Sequence, residues 1–453
     1  MPNSRAVALQ ILARVETGRA YADLLLDAAL TNAPALDARD KALTTELVYG
    51  VLRWQKRLDW YLDQVCNKPL RTTHPWLRMI LRLGAYQLLM LDKIPPSAAI
   101  NESVKLAETS RSKANLPAKT AKGFVNAVLR NLHRQRTTLQ SPDAITSNVT
   151  RFAVTYSYPE WMIARWLRQL GEELTRALCQ VQNRPPHLTL RINTLKTSLP
   201  DFQHRLRQAG QTVTPLPGHL PGVVVSGHPP VAKAPWYRSG HCTVQNASSM
   251  LISQILDPQP GDCILDGCAG SGTKTTHLGE LMHNHGHILA VDPHQSKLHR
   301  LEENCRRLGV TIVHTACQDM TTLPSDQHSF DRILLDVPCS GLGVLRKHPE
   351  AKWTIQEAHI PDLQTLQLRL VTHAAILLPP QTGTLVYSTC TTEPEENEAV
   401  IRKFLHTAPG FRVVPPFPYL PELLHQYVTE EGFLRIIPQE YFDGFFCARL
   451  TRD

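Results

Sequence analysis

From residue 240 onward, short apolar segments alternate with amphipathic helical stretches. The pattern predicts strands at 262–266, 287–292, 311–315, 331–336 and 384–388. Helices are expected near 245–256, 273–283, 294–308, 356–378 and 395–406. Strands that alternate with helices specify a doubly wound α/β sheet, because a parallel return needs a long crossover. Open sheets of this kind bind ligands outside the carboxyl ends of their strands. Two of these strand ends carry thiols. Ile333-Leu334-Leu335-Asp336 runs into Val337-Pro338-Cys339, and Pro338 cannot continue a ladder. Thr384-Leu385-Val386-Tyr387-Ser388-Thr389 runs into Cys390. Neighbouring strands lie about 5 Å apart. If these two are neighbours, Asp336, Cys339 and Cys390 share one cleft.

The stretch Ile264-Leu265-Asp266-Gly267-Cys268-Ala269-Gly270-Ser271-Gly272-Thr273-Lys274-Thr275 is a strand, a glycine turn and a helix start. Three readings compete with a purely structural turn. A P-loop requires its lysine directly after the glycine, and Lys274 comes one residue late. A dinucleotide loop requires a third glycine where Thr275 stands. An S-adenosylmethionine loop, the preferred reading, requires an acid at the end of the next strand to accept from ribose hydroxyls. Asp292 fills that place, about 20 residues beyond the turn as nucleotide ribose acids are. Asp319, after the third strand, is placed for the exocyclic amine of adenine. The expected cofactor contacts are Cys268, Ala269, Gly270, Ser271, Gly272, Thr273, Lys274, Asp292, Asp319 and Asp336.

The first third of the chain has a different pattern. Residues 4–136 recur at helical spacing with no strand signal, and predict an all-α bundle of five to seven helices. Ser4 is expected to cap a first helix reaching about Leu30, and Ser97 another. Residues 1–150 hold 21 Lys/Arg against 12 Asp/Glu, so the whole basic excess of a chain with net charge +8 lies there. The excess suggests a polyanionic partner. Its basic residues cluster late, at Arg111, Lys113, Lys119, Lys122, Arg130, Arg134 and Arg136. Residues 137–158 are Ser/Thr-rich and read as a linker. Two helices (about 159–170 and 172–182), a strand at 188–192, a helix at 198–210 and a strand at 222–225 then form a small α+β module.

No stretch approaches the ~18 apolar residues of a membrane helix, and Arg14 and Glu16 interrupt the N-terminal apolar run. A cytoplasmic monomer is expected. None of the ten cysteines forms a C-x-x-C pair, so no metal is expected. Cys339, Cys390 and Asp336 are the candidates for chemistry, against the reading that both thiols merely fill space. Cytosine C5 is a poor nucleophile until a thiolate adds to C6, and that addition needs an acid near N3 and a methyl donor in line.

Two resemblances bear on this. Arg39-Asp40-Lys41-Ala42-Leu43, Glu46-Leu47-Val48-Tyr49-Gly50-Val51-Leu52-Arg53-Trp54, Ala99-Ile100-Asn101-Glu102-Ser103-Val104 and Phe124-Val125-Asn126-Ala127-Val128-Leu129-Arg130 resemble the NusB-type RNA-binding helical domain. Pro338-Cys339-Ser340-Gly341 with Arg346–Trp353, and Ser388-Thr389-Cys390-Thr391 with Glu395-Glu396-Asn397-Glu398, resemble two motifs of the RNA 5-methylcytosine methyltransferases. Gln245–Ser249 and Asp443–Phe446 resemble flanking motifs. Together they resemble the branch acting on small-subunit (16S) ribosomal RNA. The resemblance implies that Cys390 is the nucleophile and that Cys339 helps release the product. The family's glycine loop reads Cys-Ala-Ala-Pro-Gly-Gly-Lys-Thr, and this chain departs from it at Gly270-Ser271-Gly272-Thr273. The expected organisation is a NusB-like domain over 1–140, a linker and middle module over 141–240, and a catalytic domain over 241–453. The rival expectation is a non-catalytic RNA-binding factor that keeps a methyltransferase fold.

Overall fold

The computed structural model describes residues 3–452 except 18–20, 34–35, 110–117, 228–230, 325–328 and 380. Arg111 and Lys113 lie outside the described residues. The chain divides into two compact units: residues 1–184 with 345–357, and 185–344 with 358–453.

The first unit is helical. Its early helices span Ser4–Glu16, Ala22–Thr31, Ala38–Asp63, Pro75–Met90, Pro96–Thr109 and Ala118–Gln135. The expected first helix is thus two, and its cap is Asn3, whose side chain accepts from the Ala6 amide. Ser4, expected as the cap, is the first helical residue and donates to Asp40 instead. One stripe of each helix supplies the core, with Leu9, Leu12, Leu47, Val51, Leu58, Ile80, Leu83 and Leu129 at 0–1% exposure. Gly50 allows close approach, since a Cβ there would lie 2.0 Å from the Tyr86 ring. The Ser/Thr-rich stretch expected as a linker contains a helix, Asn148–Tyr156, capped by Ser147. Serine there is a cap, which composition alone does not distinguish from a loop residue. The next helix, Glu160–Gln182, breaks at Gly171 (φ 75°), where the two expected helices meet.

Residues 345–357 complete this unit. Lys352 is fully buried, and its ammonium donates to Asn183 Oδ1 (2.7 Å) and to the carbonyls of Arg53 and Ser157 (3.2 Å each). The same nitrogen lies 3.6 Å from the Tyr158 ring centroid. Burial pulls its pKa down, but three acceptors and an aromatic face use every N–H of the charged form. Trp353 Nε1 donates to the Leu52 carbonyl (2.6 Å), and the Ala22 amide donates to Glu350 (3.2 Å).

In the second unit, β1 (Leu188–Ile192), β2 (Thr212–Pro215), β3 (Gly222–Ser226) and β4 (Cys242–Val244) form an antiparallel sheet in the order β2-β3-β1-β4. The larger sheet comprises β5 (Cys263–Asp266), β6 (His287–Val291), β7 (Val313–Ala316), β8 (Arg332–Asp336), β9 (Thr384–Thr389), β10 (Phe411–Val413), β11 (Leu434–Ile436) and β12 (Phe445–Arg452). Its order is β10-β12-β9-β8-β5-β6-β7, with β11 paired to β12. β5 to β9 are mutually parallel where they pair, so this part is the expected doubly wound fold. The antiparallel β10, β11 and β12 add an edge that the strand–helix alternation did not reveal.

Both faces of the parallel part are covered, which explains why its strands read as continuous apolar runs. Ile264, Ile288, Leu334 and Val386 share one core with the helix Ala247–Leu256. Leu265, Ile333, Leu335, Leu385 and Tyr387 face the other core, with residues of the helices His359–Ile376 and Glu398–Thr407. The strand order reverses between β5 and β8. The crevice outside their carboxyl ends lies at this switch point. Among the described residues, no helix is long and apolar enough to cross a membrane.

Candidate active site

β8 and β9 pair in register, with Asp336 opposite Ser388. The turns that follow therefore start side by side. Cys339 Sγ and Cys390 Sγ lie 3.4 Å apart, as the strand reading required. The backbone joins the turns twice: the Val337 amide donates to the Ser388 carbonyl (3.1 Å) and the Gly343 amide to the Cys390 carbonyl (2.9 Å). Gly343 must be glycine. A Cβ there would lie 2.4 Å from the Gly444 carbonyl oxygen and 2.7 Å from that of Cys390. Gly444 returns a hydrogen bond to the Gly343 carbonyl (2.9 Å). Ser248 Oγ donates to the Asp443 carbonyl (2.8 Å), so both flanking motifs buttress the thiol turns.

The two thiols are not equivalent. A hydrogen bond to Cys390, then burial and the neighbouring Glu396, push the Cys339 thiol well above the ordinary cysteine range. The two sulfurs share one hydrogen bond, in which either can donate.

Asp336 stands at the end of β8, between the thiols and the glycine turn. Its Oδ2 is 2.5 Å from Lys274 Nζ, and its Oδ1 accepts from Ser388 Oγ (3.0 Å). Lys274 also lies 5.3 Å from the Phe445 ring centroid. The glycine turn links β5 to the helix Thr273–Leu281, whose N-cap is Gly272 (φ 82°). A Cβ on Gly272 would lie 2.4 Å from Leu301, whereas a Cβ on Gly270 would meet nothing within 4 Å. The turn therefore packs on one side and opens on the other.

The acids around the turn differ in setting. Asp292 is 4% exposed; it accepts from the Gly270 amide (3.1 Å) and from the backbone and ring of His294 (2.9 and 3.0 Å). Asp319 is exposed, and its Oδ1 caps a 3-10 turn by accepting from the Thr321 amide (2.9 Å) and hydroxyl (2.8 Å). Cys268 lies among Asp266, Asp336 and Asp292. Burial first, then these carboxylates, hold its thiol well above the ordinary range.

Sequence reasoning missed three groups. Asp266 is buried at the end of β5, and burial pushes its pKa to about 6. Its Oδ2 accepts from Thr275 Oγ1 (2.7 Å), while its Oδ1 is buried without a partner. An acid ending a buried strand directly before a glycine turn was the available signal. The second group is Glu396 with Asn397, which the sequence showed only as part of a resemblance. The third is Arg191 of β1, fully buried and paired twice with Glu280 (3.0 and 2.8 Å). It also donates to the Thr273 carbonyl (2.7 Å), at the first residue of the helix after the glycine turn.

The site is thus a switch-point crevice with a glycine turn, clustered carboxylates and a thiol pair, on a methyltransferase fold. Residues 253–451 match the family described as 16S rRNA methyltransferase RsmB/F, residues 2–134 the NusB family, and residues 158–232 the ferredoxin-like domain of RsmF/B-like methyltransferases. The chain is 38% identical to "Probable ribosomal RNA small subunit methyltransferase B" of Synechocystis sp., over 100% of both chains. It is 35% identical to the Bacillus subtilis protein of the same description, over 99% of this chain and 98% of that one. The Escherichia coli ribosomal RNA small subunit methyltransferase B is 33% identical over 99% of each. Among solved structures, PH0851 superposes with a TM-score of 0.84 at 27% identity, covering 100% of this chain and 99% of that one. A methyltransferase homolog protein from Pyrococcus horikoshii gives 0.59 at 29% identity, covering 68% and 100%. The chain belongs to the RsmB/F family of 16S rRNA methyltransferases. It is an enzyme that methylates small-subunit ribosomal RNA.

Proposed function

We propose that the chain transfers the methyl group of S-adenosylmethionine to C5 of a cytosine in 16S ribosomal RNA, through a covalent bond between Cys390 and C6. The observation that carries this is the thiol pair, with 3.4 Å between sulfurs at the ends of adjacent parallel strands and Asp336 on one of them. The glycine turn over 268–274 and Asp292 fit a nucleoside. Asp266 offers an unpartnered oxygen beside that turn. The clustered carboxylates Asp266, Asp292 and Asp336 fit a sulfonium cation and disfavour the polyphosphate of a P-loop ligand. When bound, S-adenosylmethionine supplies an electrophilic methyl group.

The chain's own residues perform the rest. Cys390 sulfur forms a bond to C6, and the ring electrons move toward N3, where Asp336 with its Lys274 partner delivers a proton. C5 is then an enamine carbon and takes the methyl group. A base removes the C5 proton, the C6–S bond breaks, Cys390 leaves as thiolate beside the Cys339 thiol, and N3 returns its proton to the Asp336–Lys274 pair. The target base must leave its stack to reach these sulfurs. In this reading the basic bundle over 1–140 and the module over 141–240 hold the RNA.

Cys390→Ala is expected to abolish transfer of labelled methyl groups to 16S ribosomal RNA; full residual activity would overturn the nucleophile assignment. Cys339→Ala is expected to leave a protein–RNA adduct on a denaturing gel. If no adduct forms while Cys390 is intact, the division of labour between the thiols is wrong.

A further inference from the structure

The two thiol turns are held by one dipeptide. Glu396 and Asn397 sit just before the helix Glu398–Thr407, at 0% and 1% exposure. Glu396 Oε2 accepts from the Ser340 amide (2.8 Å) and from Gln367 Nε2 (3.0 Å); Oε1 accepts from Ser340 Oγ. Gln367 Nε2 also donates to the Pro338 carbonyl (2.9 Å). Both chain neighbours of Cys339 are therefore fixed. Asn397 repeats the arrangement on the other turn. Its Oδ1 accepts from Thr389 Oγ1 (2.5 Å), and its Nδ2 donates to the Thr391 carbonyl (3.2 Å). Those are the chain neighbours of Cys390.

The hydroxyls of Ser340 and Thr391, each one residue past its cysteine, are 2.7 Å apart. Their direction follows from donor count. The one Ser340 hydroxyl hydrogen goes to the Glu396 carboxylate, so the Thr391 hydroxyl donates to Ser340 while accepting from the Glu393 amide (3.3 Å). The dipeptide itself is tied to β9, because Tyr387 Oη donates to the Glu396 carbonyl (2.6 Å).

We propose that Glu396 and Asn397 are paired positioning residues, Glu396 setting the Cys339 sulfur and Asn397 the Cys390 sulfur at the separation the reaction uses. Neither side chain is hydrogen-bonded to a sulfur; each holds residues beside one cysteine, and Glu396 also acts on Cys339 through its charge. The consequence rests on the two-thiol reading above: loss of Glu396 impairs product release, and loss of Asn397 impairs formation of the C6–S bond.

The test uses the full-length protein and two readouts. The first needs no RNA. Diamide takes two electrons and two protons from a thiol pair, leaving a disulfide and a hydrazine, and its rate reports how the sulfurs are held. The Cys339–Cys390 peptide pair is followed by mass spectrometry. Glu396→Ala and Asn397→Ala are each expected to slow this cross-link at least tenfold while thermal unfolding stays cooperative. Glu396→Gln, which still accepts from the Ser340 amide, is expected to restore much of the rate. If either alanine variant is unstable, Gln367→Ala, which releases Pro338 and removes one of the bonds to Glu396 while Ser340 stays held, and Asn397→Asp, which keeps the Thr389 bond and loses the Thr391 one, carry the same comparison.

The second readout is a single turnover with 16S ribosomal RNA. Glu396→Ala is expected to prolong the gel-stable adduct about tenfold, with little change in the first methyl transfer. Asn397→Ala is expected to slow adduct formation and methyl transfer together. Folded variants that cross-link at the parent rate overturn the positioning role. Slowed cross-linking with unchanged turnover and adduct keeps the positioning role and overturns the two-thiol chemistry instead.

Discussion

The two halves of the crevice are built differently. On the glycine-turn side, strand ends carry acids held by the turns beside them: Asp292 is bonded to Gly270 and His294, and Asp319 caps its own turn. On the thiol side, the reactive residues are held from far along the chain. Glu396 reaches Ser340 and Gln367 reaches Pro338, while Gly444 fits against Gly343. A ligand that arrives by diffusion tolerates a locally built cradle. Two sulfurs that must act in turn on one carbon need fixed positions, which a network of buried side chains supplies.

Substitutions on the two sides should therefore differ in size and kind. The largest effect is expected from Asp336→Asn, which removes the partner of Lys274 and the proton route to N3: kcat should fall about 1,000-fold. A loss below tenfold would move the proton transfer elsewhere. Next is Asp266. Its carboxyl is pushed up to about 6 in the folded state, above its unfolded value of 3.8. The stabilisation this gives is complete below the unfolded value and disappears as pH rises through about 6. Asp266→Asn should flatten that dependence by roughly 3 kcal/mol, read from unfolding midpoints between pH 4 and 7. An unchanged slope would show that Asp266 titrates normally.

Asp292→Asn weakens a charge-assisted acceptor and should raise KM for S-adenosylmethionine about 30-fold with little change in kcat. A fall in kcat alone would erase the contrast between the two sides. The smallest effect is expected from Asp319→Asn. An exposed acceptor competes with water, so KM should change by less than about threefold. A large change would assign the adenine contact to Asp319.

The same contrast governs what the sequence made legible. The parallel strands were readable because burial on both faces leaves unbroken apolar runs, as in Ile333-Leu334-Leu335. The meeting of Cys339 with Cys390 followed from strand adjacency alone. β12 was missed because Arg449 interrupts its apolar run and it pairs antiparallel with no helix after it, so strand–helix alternation does not mark it. The helix Asn148–Tyr156 was missed because its cap, Ser147, has the composition of a linker. The roles of Glu396 and Asn397 were invisible for another reason. Local pattern does not encode which distant backbone a buried carboxylate or amide will meet.

One feature of the helical unit bears on how the protein is made. Lys352 fills a cage formed by Arg53, Ser157 and Asn183, and Trp353 bonds to Leu52. During synthesis those carbonyls emerge long before their cation does. The N-terminal helices can collapse early, but the partners of those carbonyls arrive only when Lys352 and Trp353 have left the ribosome. Until then it exposes a polar seam that only this chain's later segment satisfies. A truncated fragment ending before residue 345 should inherit that open seam permanently, and it should bind chaperones or self-associate where the full chain does not.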